Sequence, residues 1–233
     1  MRITPISADS WQLTRFGFIN CYLVREPDGF TLIDTTLAGA ASGIIDTAAK
    51  LGGSIRRVLL THAHVDHVGS ADQLVAKIPG LCVAASERSL PLLHRPVDRS
   101  LRPREPKKSF RGGLPGIATE IRQTFGDGEL IGSLRAIATP GHIPGHFSFL
   151  DERDGTLFAG DALVCVGRLS LTGWTPWYFR LPGFVMWSKP TAIASAVKLL
   201  DYPIERFACG HGPVRTGGVR ALRNAIVTAE MVF

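Results

Sequence analysis

"THAHVDHVGS", residues 61–70, places three of the chain's seven histidines and one aspartate within six positions. It follows the apolar run Val58-Leu59-Leu60 directly. Neutral imidazoles gain nothing from crowding, and charged ones repel. A metal ion is the usual physical reason for the pattern, because it needs several neutral nitrogens and a carboxylate at one point. On a strand His62 and His64 share a face. On a helix they would diverge by about 200°. The expected carrier is therefore a buried strand that ends in a loop, with the loop freeing Asp66 and His67 to turn toward a second point.

Three further candidates occupy similar settings. His142 lies in "ATPGHIPGHFSFL", Asp161 in "LFAGDALV" and His211 in "FACGHGP". Each follows an apolar, strand-like run and is bracketed by glycine or proline, so a short turn at a strand tip can aim it inward. Singly, any of them could be an ordinary polar turn residue. Together with the first cluster they supply five imidazoles and two carboxylates, which suits two metal ions with open positions for a substrate.

"THAHVDH", "TPGHIPGH", "GDALV" and "GHGP", in this order, resemble the metallo-β-lactamase-fold hydrolase superfamily. The likeness runs from "INCYLVREPDGFTLIDTT" to "GHGP", nearly the whole chain. It implies an α/β fold, a four-layer αββα sandwich with the site at one edge of the sheets. It also implies that His62, His64 and His142 bind one metal, that Asp66, His67 and His211 bind the second, and that Asp161 bridges them. Asp34, in "TLIDTT", resembles the acid that steadies a ligand loop by accepting a ring N–H. The family usually has glycine soon after that acid, whereas Thr35 and Thr36 follow here. His146 matches a family histidine that packs behind the ligands. The cofactor implied is two Zn2+ per chain, with iron or manganese as alternatives. The chemistry implied is a metal-bridged hydroxide attacking an ester, thioester or lactone carbonyl, with Asp66 orienting it and handling its proton. The chain has no GxSxG-type nucleophile motif.

The bulk properties agree with an enzyme of this size. The 233 residues are 45% hydrophobic and 20% charged, which reads as one domain over 1–233. No apolar run approaches the roughly 20 residues of a membrane span. "MRITPISADSWQLTRF" lacks the apolar run of a signal peptide. Cys21, Cys82, Cys165 and Cys209 form no CxxC pair, so a reducing cytoplasm is expected, with neither a thiolate site nor a disulfide framework. The net charge of +6 is concentrated. Residues 95–111 carry five Arg and two Lys against Asp98 and Glu105. They lie in a proline- and glycine-rich excursion at about 91–117, read as a solvated loop or a lid that steers an anionic small-molecule substrate. Aromatics do not interleave with these charges before Phe110, so nucleic acid is not the expected partner.

Apolar β-rich runs at "FGFINCYLVRE" and "FTLIDTT" predict a meander around the turn signal "PDG". Helix-like "LAGAASGIIDTAAKLGG", strand-like "IRRVLLT", helix-like "SADQLVAKIPG" and strand-like "LCVAAS" follow. Beyond the excursion, "GSLRAIATP", "HFSFLDE", "GTLFAGDALV" and "IERFACG" read as strands, and "SKPTAIASAVKLLDY" and "VRALRNAIVTAEMVF" as helices. In "GWTPWYFRLPGFVMW" the aromatic residues Trp174, Trp177, Tyr178 and Phe179 suggest either core, a homodimer surface or an apolar substrate wall.

Departures from family subtypes narrow the activity. Too few residues follow His211 for the helical substrate domain of glyoxalase-II-like thioesterases. Val164 stands where quorum-quenching lactonases carry tyrosine, and Asp161 argues against true β-lactamases. The expectation is a generic small-molecule hydrolase. A phosphodiesterase or nuclease and an iron-dependent sulfur dioxygenase are the rival readings.

Overall fold

The computed structural model describes residues 1–179 and 184–231. Residues 180–183 of the aromatic stretch, and the last two positions of the expected closing helix, lie outside them. Seven strands form the first sheet, in spatial order β1 (Arg2–Pro5), β2 (Ser10–Arg15), β3 (Ile19–Glu26), β4 (Gly29–Ile33), β5 (Ile55–Leu59), β6 (Cys82–Ser86) and β7 (Gln123–Phe125). Its first four strands pair antiparallel, and β4 to β7 pair parallel. The second sheet is built from β8 (Leu130–Ile131), β9 (Leu134–Ala138), β10 (Phe147–Asp151), β11 (Thr156–Gly160), β14 (Arg206–Cys209) and β15 (Arg215–Thr216). A small ribbon of β12 (Leu163–Val164) and β13 (Ser170–Leu171) follows β11.

Period-2 alternation sends each strand's side chains into two different cores. In β3, Cys21 and Leu23 face one core, Tyr22 and Val24 another. In β11, Leu157 and Ala159 face outward, while Phe158 joins Tyr22, Phe125 and Phe149 between the sheets. The outer core of the first sheet is closed by α1 (Ala41–Lys50) and α3 (Ala71–Lys77), which present Ala41, Ile44, Ala48, Ala71 and Leu74. That of the second sheet is closed by α5 (Lys189–Lys198) and α6 (Gly218–Glu230), through Ala192, Ala196, Leu222 and Ile226. The result is the expected four-layer αββα sandwich. Each fully buried leucine or phenylalanine stabilises it by roughly 1.5–3 kcal/mol. Between α3 and α5 in the chain, α4 (Leu90–Leu93) is the last helical turn before the excursion.

Strands β1 and β2 were not among the expected elements. All four residues of β1 are exposed, so it carries no apolar alternation to reveal it. The cysteines also hold a surprise, because Cys165 and Cys209, 44 residues apart, meet at 3.1 Å between sulfurs as free thiols.

The excursion does return to the fold. Phe110 and Ile117 are buried in the first sheet's outer core. Arg95 donates to the carbonyls of Pro115 and Gly116, and Arg99 to those of Phe110 and Gly112. Arg88 pairs with Glu105 at 2.6 Å. Part of the basic charge is therefore an internal staple for the loop.

Candidate metal centre

The candidate residues lie at the ends of strands along one edge of the sandwich. His62 and His64 follow β5, His142 follows β9, Asp161 follows β11 and His211 follows β14. Asp66 and His67 are not on a loop, as the sequence suggested. They occupy a single helical turn, α2 (Val65–Val68). His64 caps that turn in an extended conformation, and its carbonyl accepts from the amides of His67 and Val68. This turn redirects the chain, so the two halves of "HAHVDH" reach different points.

Two nests of donors result. In the first, His62 Nε2 and His142 Nε2 each approach His64 Nδ1 to 3.0 Å. In the second, His211 Nε2 lies 3.3 Å from Asp66 Oδ2, with His67 Nε2 4.0 Å from the same oxygen. The carboxylate of Asp161 reaches both, 3.5 Å from His142 Nε2, 3.4 Å from His67 Nε2 and 3.3 Å from His211 Nε2. His62, His64, Asp66, His67, His142, Asp161 and His211 are thus all brought together.

The surrounding hydrogen bonds fix which nitrogen of each ring faces inward. Asp34 follows β4 and accepts from the His67 Nδ1–H at 2.7 Å, from the Thr61 hydroxyl at 2.8 Å and from the Thr61 amide at 2.8 Å. The Thr61 oxygen, its proton given to Asp34, accepts from His62 Nδ1–H at 3.0 Å. His64 Nε2–H donates to the Arg111 carbonyl, and His211 Nδ1–H to that of Phe18. His142 Nδ1 lies 3.1 Å from the Thr172 hydroxyl. His146 Nε2 accepts from the Asp161 amide at 3.0 Å, with its Nδ1 2.9 Å from the Thr139 hydroxyl, so it holds the Asp161 turn from behind.

This tautomer pattern is a fit test for a cation. The inward atoms of His62 and His64 are both lone pairs, so their 3.0 Å approach is not a hydrogen bond and calls for a positive ion between them. His67 Nε2 and Asp161 Oδ1 are buried without a hydrogen-bond partner. Buried polar atoms are rarely left so. The mixture of imidazole and carboxylate suits a divalent ion such as zinc or iron. Burial and the neighbouring imidazoles hold His62 and His142 well below the ordinary histidine range. Burial, joined by the His67 and His64 imidazoles and opposed by Asp161, pushes His146 down to about 3. Burial opposes the charged forms of both Asp66 and His211. At Asp66 the His67 imidazole and the hydrogen bond from His211 outweigh burial and the repulsion of Asp161, holding it at about 2. At His211 the carboxylates of Asp161 and Asp66 outweigh burial and raise it to about 10.

Two glycines are dictated by close approach. A Cβ at Gly210 would sit 2.3 Å from Asp161 Oδ1, and one at Gly112 2.3 Å from His64 Nε2.

A cleft of about 290 Å3 opens over the centre. Its walls are Phe18, Leu37, Val65, Phe179 and Val185, with Gly112 and Gly113 from the excursion. Phe179 packs against Phe18 at 5.7 Å and His211 at 5.5 Å between ring centroids. Of the proposed aromatic wall, only Phe179 lines this cleft. Trp174 is buried in the outer core of the second sheet, where an apolar indole gains most. Trp177 and Tyr178 are exposed, 77% and 58%, and do not line the cleft. Sequence reasoning missed Phe18, Leu37 and Val185, which carry no chemical signature. It also missed the Arg111 carbonyl, whose only signal was the "GG" that follows.

The family model described as the metallo-beta-lactamase superfamily matches residues 14–211. The chain belongs to that superfamily and is a metal-dependent hydrolase. It is similar to the uncharacterized protein YobT of Bacillus subtilis (strain 168), 45% identical over 99% of each chain. It is 29% identical to a hydroxyacylglutathione hydrolase of Synechococcus sp. (strain JA-3-3Ab), over 66% of this chain. The alignment spans only 53% of that relative. Among solved structures, TTHA1623 in a di-iron-bound form has a TM-score of 0.63 and 29% identity, covering 88% of this chain and 92% of the other. No helix among the described residues is long and apolar enough to cross a membrane.

Proposed function

We propose that this hydrolase cleaves an ester, thioester or lactone of a small molecule at two metal ions. The observation that carries the reading is the pair of donor nests joined by Asp161. His62, His64 and His142 would hold one ion, Asp66, His67 and His211 the other, and Asp161 both. Bound ions would supply Lewis acidity, polarising a substrate oxygen and lowering the pKa of water toward about 7.

The chain's own residues supply the rest. Asp66 keeps a quarter of its side chain exposed and lines the cleft, so it can accept a proton there and return it to the leaving group. Phe18, Leu37, Val65, Phe179 and Val185 give an acyl group an apolar wall and exclude water. Asp34 holds the His67 ring and, through Thr61, the His62 ring in their ligating tautomers. The cleft is lined by no Lys or Arg among the described residues, which favours a carbonyl over a phosphodiester. The hydroxyacylglutathione hydrolase likeness supports a thioester among the candidates. Zinc suits the donor set, and the di-iron neighbour makes iron the alternative.

Metal quantification joined to a substrate panel tests the reading. Two ions per chain and turnover of acyl substrates are expected. One ion or none, or turnover of phosphodiesters alone, would overturn it. Oxygen uptake with a persulfide by the iron-loaded protein would replace it with a sulfur dioxygenase.

A further inference from the structure

Beside the cleft lies a second hollow of about 280 Å3, lined by Lys108, Ser109, Arg111, Phe184, Met186 and Lys189. Three of its six lining residues are cations, and none is a carboxylate. It shares its walls with the metal cleft. Arg111 lines the hollow and Gly112 the cleft; Phe184 and Met186 line the hollow and Val185 between them the cleft. The two spaces are therefore neighbours across one residue on each of two chain segments.

Both segments are fastened to ligand histidines. The Arg111 carbonyl accepts from His64 Nε2–H. On the other side, the Trp187 amide donates to the His142 carbonyl at 2.9 Å and that of Ser188 to Gly141 at 2.9 Å. The segments also hold each other, since Trp187 Nε1–H donates to the Lys108 carbonyl at 2.7 Å. The hollow is thus positioned relative to the centre by hydrogen-bonded backbone.

The charges of the basic segment divide by use. Arg95 and Arg99 are taken up by loop carbonyls, and the segment's Glu105 by Arg88. The side chains of Lys108 and Arg111 have no hydrogen bond or ion pair among the described residues, and Lys189 lies over the Trp174 ring at 5.0 Å. Lys108 and Arg111 are exposed beside the hollow, so an anion entering it meets two like charges and no carboxylate among the residues that line it. A guanidinium fork and an ammonium group match an oxyanion.

We infer that Lys108 and Arg111, on the hollow that Lys189 also lines, form a specificity pocket for a terminal oxyanion, carboxylate or phosphate, on the substrate whose acyl group occupies the metal cleft. The inference rests on the acyl-hydrolase reading and names its substrate class as ω-anionic acyl compounds. The basic excursion then acts through two of its seven cations, and the others serve the loop or solvent.

The test uses zinc-loaded protein and three 4-nitrophenyl esters of matched chain length: valerate, hemiglutarate and 4-phosphonobutyrate. In the double variant Lys108→Gln/Arg111→Gln, the kcat/KM ratio of an anionic ester to valerate should fall about tenfold, mainly through KM, the size of one charge-assisted contact. A larger fall for hemiglutarate assigns the pocket to carboxylates, and a larger fall for phosphonobutyrate to phosphates. An unchanged ratio for both overturns the pocket. A second readout needs no turnover. Butane-1-sulfonate, a weakly coordinating anion, should bind the wild type and bind the double variant at least about tenfold more weakly, while the distant Lys77→Gln matches the wild type. Equal binding to all three proteins overturns the proposal. If no ester is hydrolysed while sulfonate binding still follows Lys108 and Arg111, the acyl-hydrolase reading fails and the anion pocket stands.

Discussion

The two nests use the same imidazole chemistry but are held in different ways. In the first, His62, His64 and His142 are oriented by neutral oxygens: the Thr61 hydroxyl, the Arg111 carbonyl and the Thr172 hydroxyl. In the second, His67 is oriented by the buried carboxylate of Asp34, and Asp66 itself belongs to the donor set. The three histidines of the first nest are buried, whereas Asp66 keeps a quarter of its side chain exposed, and both nests contribute to the cleft lining. Both draw on both sheets, so neither sheet alone contains a complete site. The difference teaches that ligand geometry can be set by uncharged partners, and that one buried carboxylate, Asp34, can orient His67 directly and His62 through Thr61.

Asp161 is where the nests meet, and its removal should have the largest effect. Asp161→Ala should lower metal occupancy in both nests and reduce turnover by at least about a thousandfold, as expected when a preorganised charged group is lost from a catalytic centre. His211→Ala should empty mainly the second nest, leaving about one ion per chain. Elemental analysis of the two variants side by side checks this. Loss of a single ion in both would mean that Asp161 serves one nest only.

The next contrast sets the orienting groups against each other. Asp34→Ala strips an acceptor from His67 Nδ1, the Thr61 hydroxyl and the Thr61 amide, all buried. Leaving buried donors unpaired should destabilise the protein by about 3 kcal/mol. It should also weaken metal binding by about 10–100-fold. Thr172→Val keeps the shape beside His142 and removes one neutral contact, so it should cost about 1 kcal/mol. Thermal unfolding and metal titration of both variants measure the gap. Equal losses would erase the distinction between charged and neutral orienting groups.

The residues that carry chemistry were legible in the sequence because histidine and aspartate at strand tips are conspicuous beside apolar runs. His62, His64, His142 and His211 each follow a strand whose alternation could be read. The four-layer architecture followed from the resemblance, and the three cores agree with it. What the sequence concealed is made of backbone and of ordinary apolar side chains. The Arg111 carbonyl has no residue code. Phe18 and Leu37 look like any surface-loop hydrophobe until the chain brings them over the donors. The aromatic stretch divides between the two readings the sequence left open, since Trp174 turns into a core while Phe179 lines the cleft beside Asp161. The basic segment misled by its uniformity, since only the fold separates arginines that bind carbonyls from those that face a hollow.

The smallest expected effect tests how the second nest's turn is held. Asp34 and Thr36 both adopt left-handed backbone angles, φ 59° and 56°, where the related family pattern has glycine nearby. A β-branched residue there carries strain on the order of 1 kcal/mol. The turn persists because Thr35 ties it to the metal site: its amide and hydroxyl both donate to the His67 carbonyl, and its oxygen accepts from the Ser70 amide. Thr36→Gly would remove the strain, add unfolded-state entropy worth roughly 0.5–1 kcal/mol and empty a buried side chain's space. These terms oppose, so stability should change by less than about 1 kcal/mol, and metal occupancy should not change. Thr35→Ala breaks the tie itself and should cost about 1–2 kcal/mol. Chemical denaturation of the pair checks the order. If Thr36→Gly proved the more damaging, the turn would depend on the packing of Thr36 and not on the hydrogen bonds of Thr35, and the second nest would be held by shape as well as by charge.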